Sequence, residues 1–180
     1  TSIRSFSEIL LDNPGLDPAE RDRFLAIVVK ESERLTRLIN DILDMSRIES
    51  GRMDWHMASC DAREIVADAL AATSGLFQEK GITLEPELAG GLPRIDVDRD
   101  RLMQVVINLL SNAAKFVQTG NGRVRVRLAR QGGQVAVSVE DNGPGIPPAE
   151  REVVFDRFRQ LGGDVMTGKP RGSGLGLTIC

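Results

Sequence analysis

Asn108 and Asn112 lie one helical turn apart in NLLSNAAKF, residues 108–116, and Lys115 follows three residues later on the same stripe. Two amide oxygens and an ammonium group suit a magnesium-bound polyphosphate. Mg²⁺ takes hard oxygen ligands, keeps several waters and is completed by one or two protein oxygens plus the phosphates themselves. Asn108 and Asn112 are therefore candidate metal ligands, and Asn108 and Lys115 candidate catalytic residues. Asparagine inside a helix is also commonly a solvated or local hydrogen-bonding residue, so the pair decides nothing alone. Three motifs follow it in order: DNGPGI at 141–146, FDRF at 155–158 and GSGLGL at 172–177. Asp141 can accept a hydrogen bond from an exocyclic amine, while Gly143 and Gly145, just before Ile146, lack the Cβ that would keep backbone from a flat purine. Turn chemistry accounts for residues 142–145 locally. It does not account for Gly172, Ser173, Gly174, Leu175 and Gly176 preceding an apolar helical run, where bare amides at a helix start face an anion. GxxxxGK[ST] is absent, so the set reads as an ATP pocket built without a P-loop.

Elements of the right kind surround these residues. Asp98 is an N-cap for a helix over 98–117, with Leu102, Val105, Val106, Leu109 and Leu110 on one buried face. Residues 123–130 alternate arginine with Val124, Val126 and Leu128, Gln131-Gly132-Gly133 turns, and Val135, Val137 and Val139 alternate again. This predicts a β-hairpin with one apolar face and Asp141 at the end of its second strand. Residues 159–171, with Gly162, Gly163, Gly168 and Pro170, are too poor in apolar side chains to be rigid and predict a nucleotide lid. Lys169 and Arg171 either reach phosphates when the lid closes or remain solvated. Phe155 and Phe158, three apart after the helix start at Pro147-Pro148-Ala149-Glu150 and with a helix expected over 148–157, either anchor the lid's near end or pack in the core.

The first 51 residues carry a different pattern. Asp17-Pro18-Ala19-Glu20 combines an N-cap, proline at the first helical position and glutamate at the third. Phe24, Val28, Leu35, Leu38, Ile42 and Met45 then step by threes and fours, Ile27 and Ile39 widen the stripe, and Gly51 stops the helix. A shorter stripe, Ile3, Phe6 and Leu10, precedes the turn at Asn13-Pro14-Gly15. Such a hairpin leaves an apolar side uncovered. A second copy of the chain would bury it in a four-helix bundle; packing on the chain's own second half is the alternative.

Together the four motifs resemble the N, G1, F and G2 boxes of the sensor histidine kinases of two-component signalling, within the ATPase superfamily shared with DNA gyrase, mismatch-repair ATPases and heat-shock chaperone ATPases. RLTRLINDILDMSRIESG, residues 34–51, resembles the end of the kinases' second dimerisation helix. The resemblance spans almost the whole chain and implies an α+β fold. An antiparallel helical hairpin, half of a dimeric four-helix bundle, occupies 1–51; a linker over 52–59 serves as a joint; and 60–180 form a two-layer α/β sandwich of the Bergerat ATP-binding type. Helices over 61–77, 98–117 and 148–157 should cover one face of a mixed sheet with strands at 83–88, 94–97, 123–129 and 134–140. The implied cofactors are ATP and Mg²⁺, held by Asn108, Asn112, Lys115, Asp141, Gly143, Gly145, Ile146, Phe158, Lys169, Gly172, Ser173, Gly174, Leu175 and Gly176. The implied reaction moves the γ-phosphoryl group to a bundle histidine and then to an aspartate of a response-regulator receiver domain.

In the family that histidine lies a couple of helical turns ahead of the segment matching Thr1-Ser2-Ile3, and further strands follow the G2 box. The resemblance therefore implies a piece truncated at both ends and unable to autophosphorylate. His56, the only histidine, is expected to be a solvent-exposed linker residue. A conformational ATPase of the same superfamily or a nucleotide-binding dimerising pseudokinase remain alternatives; the hairpin speaks against the first, and the intact Asn108, Asn112, Lys115 and Asp141 against the second.

Composition agrees with a soluble, cytoplasmic enzyme portion: 180 residues, 41% hydrophobic and 27% charged, hold one moderate core plus a hairpin. A net charge of −3 argues against nucleic-acid binding, and Arg123, Arg125, Arg127 and Arg130 without interleaved aromatics read as the solvated side of a sheet. Cys60 and Cys180 form no zinc or redox spacing, Cys60 reading as a structural residue in an aliphatic position. No apolar run approaches membrane-spanning length; any membrane anchor would lie upstream.

Overall fold

Asp17 accepts a hydrogen bond from the Ala19 amide and Pro18 takes the first helical position, so the long helix begins where the capping signal predicts. The computed structural model describes residues 2–156 and 174–180, with only the backbone of Ile179. These form two units, Thr1–Met53 and Asp54–Cys180. In the first, α1 (Ser2–Asp12) pairs with α2 (Pro18–Glu49) across the turn at Asn13-Pro14-Gly15. The Phe6 and Phe24 rings meet with centroids 5.2 Å apart. With 11 residues against 32, α1 covers only the start of α2. Farther along, Leu35, Ile39, Ile42 and Leu43 stay about half exposed. Gly51, at a φ of 63°, supplies the left-handed residue that ends the helical run.

In the second unit, β1 (Met57–Cys60) precedes α3 (Ala62–Glu79), β2 (Thr83–Leu88), β3 (Ile95–Asp98), α4 (Arg99–Phe116), β4 (Arg123–Gln131) and β5 (Gln134–Asp141). The strands make two sheets rather than the single mixed sheet expected. β1 pairs antiparallel with β3, while β2, β4 and β5 form a three-stranded sheet, parallel between β2 and β4 and antiparallel between β4 and β5. Gly90, Gly91 and Pro93 turn the chain after β2, and β3 then finds its partner in β1. That pairing also corrects the linker expected over 52–59, because Met57–Cys60 is a strand of the second unit; four residues carry too little alternation to reveal it. A third correction concerns 148–157. In place of one helix there are two 3₁₀ turns, Pro148–Glu150 and Val153–Phe155, since the β-branched pair Val153–Val154 lowers helix propensity and only i→i+3 bonds form.

α3 and α4 lie against the larger sheet and enclose the core. Val66, Ala69 and Phe77 of α3 and Val106, Leu110, Ala113 and Ala114 of α4 cluster with Val124, Val126 and Leu128 of β4, each of which is fully buried. On the other face of β4 the arginines are paired, not merely solvated. Glu85 lies 3.4 Å from Arg123 and 3.2 Å from Arg125, and Glu87 lies 3.2 Å from Arg125 and 3.0 Å from Arg127. The parallel register sets Glu85 opposite Arg125 and Glu87 opposite Arg127, within reach of the preceding arginine as well. Exposed pairs of this kind contribute little individually.

Asp98 holds three elements together. Its Oδ1 accepts from the amides of Asp100 and Arg101 at 3.1 and 3.2 Å, capping α4, and its Oδ2 accepts from the His56 amide at 2.9 Å, fastening the entry to β1. The His56 amide, followed by that of Arg101, holds its carboxyl below the usual carboxylate range. A depressed folded-state pKa contributes stability that is complete above the unfolded value and is lost as pH falls through the folded one. Wild type is thus expected to melt above Asp98→Asn at neutral pH, with the gap closing as pH drops below about 4; thermal melts between pH 7 and pH 3 measure it.

Candidate functional site

α4 can bury Val106, Leu110 and Ala113 only by turning the opposite side outward, and Asn108, Asn112 and Lys115 fall within an arc of about 60° on that side. At its middle, Asn108 Nδ2 donates to the Gly176 carbonyl at 3.2 Å, joining the helix to the described end of the glycine loop across 68 residues of chain. A Cβ on Gly176 would lie 3.8 Å from Asn108 Cγ. Leu175 is 1% exposed and roots the loop in the core, so only its backbone is left for a ligand. Gly174, at a φ of 71°, turns the chain before α5 (Gly176–Ile179). Cys180 Sγ donates to the Gly176 carbonyl at 3.1 Å and lies 4.0 Å from Asn108 Nδ2; burial pushes this thiol up, against the Asn108 hydrogen bond.

DNGPGI packs against the helix's C-terminal end. Asp141 is the last residue of β5 and its Oδ1 accepts from the Gly143 amide at 2.8 Å. Its Oδ2 takes no hydrogen bond among the described residues. A Cβ on Gly143 would lie 2.7 Å from Asp141 Oδ1 and 3.2 Å from the Phe116 carbonyl oxygen, so the turn touches α4 through bare backbone. Gly145 has a φ of 70°, and Ile146 is partly exposed with its carbonyl bonded by Arg151 Nε at 3.2 Å. Lys115 Nζ stands 4.8 Å from the Phe116 ring centroid. Asn108 and Phe116 are eight residues apart, about 12 Å along the helix. One side of α4 therefore meets the glycine loop at mid-helix and a carboxylate with a glycine turn at its C-terminal end.

The amides suit a divalent cation shared with phosphates. Asn108 uses its nitrogen on Gly176, leaving Oδ1 available, and the half-buried Asn112 amide makes no hydrogen bond among the described residues. No cluster of three or more His, Cys, Asp or Glu that could hold a metal occurs among the described residues. A cation here would draw on amide oxygens and the ligand's own. Phe155 is exposed. Phe158, Lys169, Gly172, Ser173 and the lid expected over 159–171, with Arg171, lie outside the described residues. His56 is exposed. Two residues went unread in the sequence. Asn142, a plain turn residue by pattern, accepts from the Arg123 amide at 2.7 Å through Oδ1 and donates to the Asn121 carbonyl at 3.1 Å through Nδ2. Lys80, which carries no sequence signal, donates to the Ala114 carbonyl at 2.7 Å.

Residues 97–180 match the family of histidine kinase-, DNA gyrase B- and HSP90-like ATPases, and residues 1–51 match the His Kinase A (phospho-acceptor) domain. The mycobacterial sensor histidine kinase MprB is 35% identical, with a TM-score of 0.55 over 68% of this chain and 74% of that one. The chain belongs to the sensor histidine kinases. The alginate biosynthesis sensor protein KinB of Pseudomonas aeruginosa is 37% identical over 94% of this chain and 27% of its own length. The crystal structure of full-length ShkA in complex with AMPPNP is 31% identical, with a TM-score of 0.71 over 94% of this chain and 34% of that one. This kinase chain thus spans less than a third of the curated relatives it matches. Its hairpin, the part that matches the phospho-acceptor domain, contains no histidine. Among its described residues no helix is long and apolar enough to cross a membrane.

The close approach at Gly143 makes a direct prediction. Gly143→Ala should cost about 1–3 kcal/mol of stability in the second unit, as overpacking does, whereas Gly176→Ala, with ordinary van der Waals room, should cost less than about 1 kcal/mol; denaturant unfolding of the two variants checks the order.

Proposed function

We propose that this chain is the dimerising and nucleotide-binding core of a sensor kinase that moves the γ-phosphoryl group of ATP to a bundle histidine supplied from upstream of these residues, and from there to an aspartate of a response-regulator receiver domain. The observation that carries this reading is the convergence of both glycine motifs on one side of α4, with Asn108 bonded to Gly176 and the Phe116 carbonyl against Gly143. The AMPPNP complex of ShkA supports the choice of nucleotide.

Asp141 Oδ2 accepts a hydrogen bond from the exocyclic amine of adenine, while Gly143 and Gly145 let the ring approach the backbone. Lys115 and the amides of Gly172, Ser173, Gly174 and Gly176 face the phosphates, with Lys169 and Phe158 contributing from the lid side. Mg²⁺, held by the Asn112 and Asn108 oxygens, supplies charge neutralisation at the phosphates when bound. The upstream bundle histidine attacks the γ-phosphorus in line, the N–P bond forms as the bond to the bridging oxygen breaks, and ADP leaves; positioning and charge neutralisation supply most of the rate. His56, exposed and outside the hairpin, is not assigned this role. A chain extended upstream and incubated with γ-labelled ATP should acquire acid-labile label.

The exposed Leu35, Ile39, Ile42 and Leu43 support a homodimer through α2, buried as in a four-helix bundle. The reading places the chain in the cytoplasm, with any membrane attachment through upstream segments.

Asp141→Ala should weaken ATP binding by at least about tenfold, the loss of a charge-assisted hydrogen bond. Asn112→Ala should instead reduce the gain in affinity that magnesium gives. Titration of each variant with ATP, with and without Mg²⁺, separates the two; unchanged affinity in Asp141→Ala would refute the adenine assignment. A double variant, Leu35→Glu with Ile39→Glu, should shift the chain from dimer to monomer in sedimentation velocity.

A further inference from the structure

The connection between α4 and β4, residues 117–122, leads from the helix that carries the amides to the start of β4, which lies beside the turn that carries Asp141, and it is gripped from both sides. On one side stands Lys80, at the end of α3. Its carbonyl accepts from the Gly120 amide at 3.0 Å, and its half-buried ammonium donates to the Ala114 carbonyl at 2.7 Å. Ala114 lies in the last turn of α4, where carbonyls lack intrahelical partners and the helix dipole favours a cation. Gly81, at a φ of 61°, lies beside the connection in ordinary van der Waals contact, a Cβ there falling 3.6 Å from the Gly120 Cα.

On the other side stands Asn142, with three hydrogen bonds to this connection and the start of β4. Its amide donates to the Arg123 carbonyl at 3.2 Å, its Oδ1 accepts from the Arg123 amide at 2.7 Å, and its Nδ2 donates to the Asn121 carbonyl at 3.1 Å. The connection has little slack between them, because a Cβ on Gly122 would lie 2.6 Å from Val117 Cγ2. Asp141 and Gly143 flank Asn142 directly, so whatever fixes Asn142 also fixes the carboxylate and the bare backbone beside the Phe116 carbonyl. A recognition group must be held to within about 0.5 Å to discriminate.

We propose that Asn142 and Lys80 are positioning residues that set Asp141 for recognition of the adenine amine, acting through residues 117–122 and not by touching the nucleotide. The proposal rests on the assignment of Asp141 to adenine. Its signature is selectivity. Adenine offers a donor where guanine offers a carbonyl acceptor, so an aligned carboxylate favours ATP over GTP, and a displaced one loses that preference.

The test is to measure ATP and GTP affinities, with thermal melts, for wild type, Asn142→Ala, Asn142→Asp, Lys80→Met and Asp141→Ala. Asn142→Ala and Lys80→Met are expected to weaken ATP by about tenfold or more and GTP by less than about threefold, narrowing the preference. Asn142→Asp keeps the acceptor for Arg123 but loses the donor to Asn121; it is expected to fall between, and it stands in should the alanine variant not fold. Equal weakening of both nucleotides in step with lowered melting would show a purely structural role and overturn the proposal, as would unchanged ATP affinity. If Asp141→Ala also binds ATP as wild type does, the pocket assignment itself fails; if it alone loses affinity, only the positioning role does.

Discussion

The burial of one stripe of α4 is the constraint from which the site follows. Val106, Leu110, Ala113 and Ala114 leave water together with β4, and roughly 25 cal/mol per Å² of apolar surface favours that arrangement over any rotation of the helix. A helix fixed in rotation about its axis has its other side fixed too. Asn108, Asn112 and Lys115 are therefore oriented by side chains that never approach a ligand, and the polar face needs no energy of its own to be held. Asp98 fixes the remaining freedom, sliding along the axis, by tying the first turn to the strand pair before it.

Around that helix the glycines act by absence. Gly143 allows a carboxylate and a helix-end carbonyl to sit where a methyl group would otherwise be, while the Gly176 carbonyl joins the second loop to Asn108. Leu175 anchors that loop by burial while its neighbours stay bare. Rigid anchoring next to unblocked backbone is what a site needs if main-chain donors are to face a ligand without collapsing onto one another. The hairpin obeys the opposite logic. α1 is too short to cover α2, and a long row of half-exposed aliphatics is left on a helix whose stability depends on burying them.

Much of this was legible in the residues. The cap at Asp17, the cap at Asp98, the Gly132-Gly133 turn and the alternation through β4 and β5 are local signals, each decided by chemistry within a few positions, and the structure forms each element within a residue or two. The four motifs and their order identified the family, a reading the family matches bear out. What was misread mostly involved partners distant in sequence. Met57–Cys60 becomes a strand only because Ile95–Asp98 lies beside it, whereas the expected 148–157 helix breaks into 3₁₀ turns for a local reason, the low helix propensity of the β-branched Val153 and Val154.

The order of residues along the chain therefore determined which side chains share a helix face, where helices start and stop, and which positions have no side chain at all. These depend on periods of two and 3.6 residues and on steric limits at single positions. Only the tertiary structure decided that Asn108 meets Gly176, that Glu85 and Glu87 pair with Arg123, Arg125 and Arg127 of β4, and that Lys80 and Asn142 grip the same connection. Such pairings join residues tens of positions apart, and no local propensity encodes them; they arise when one buried core forces several elements into a single mutual register.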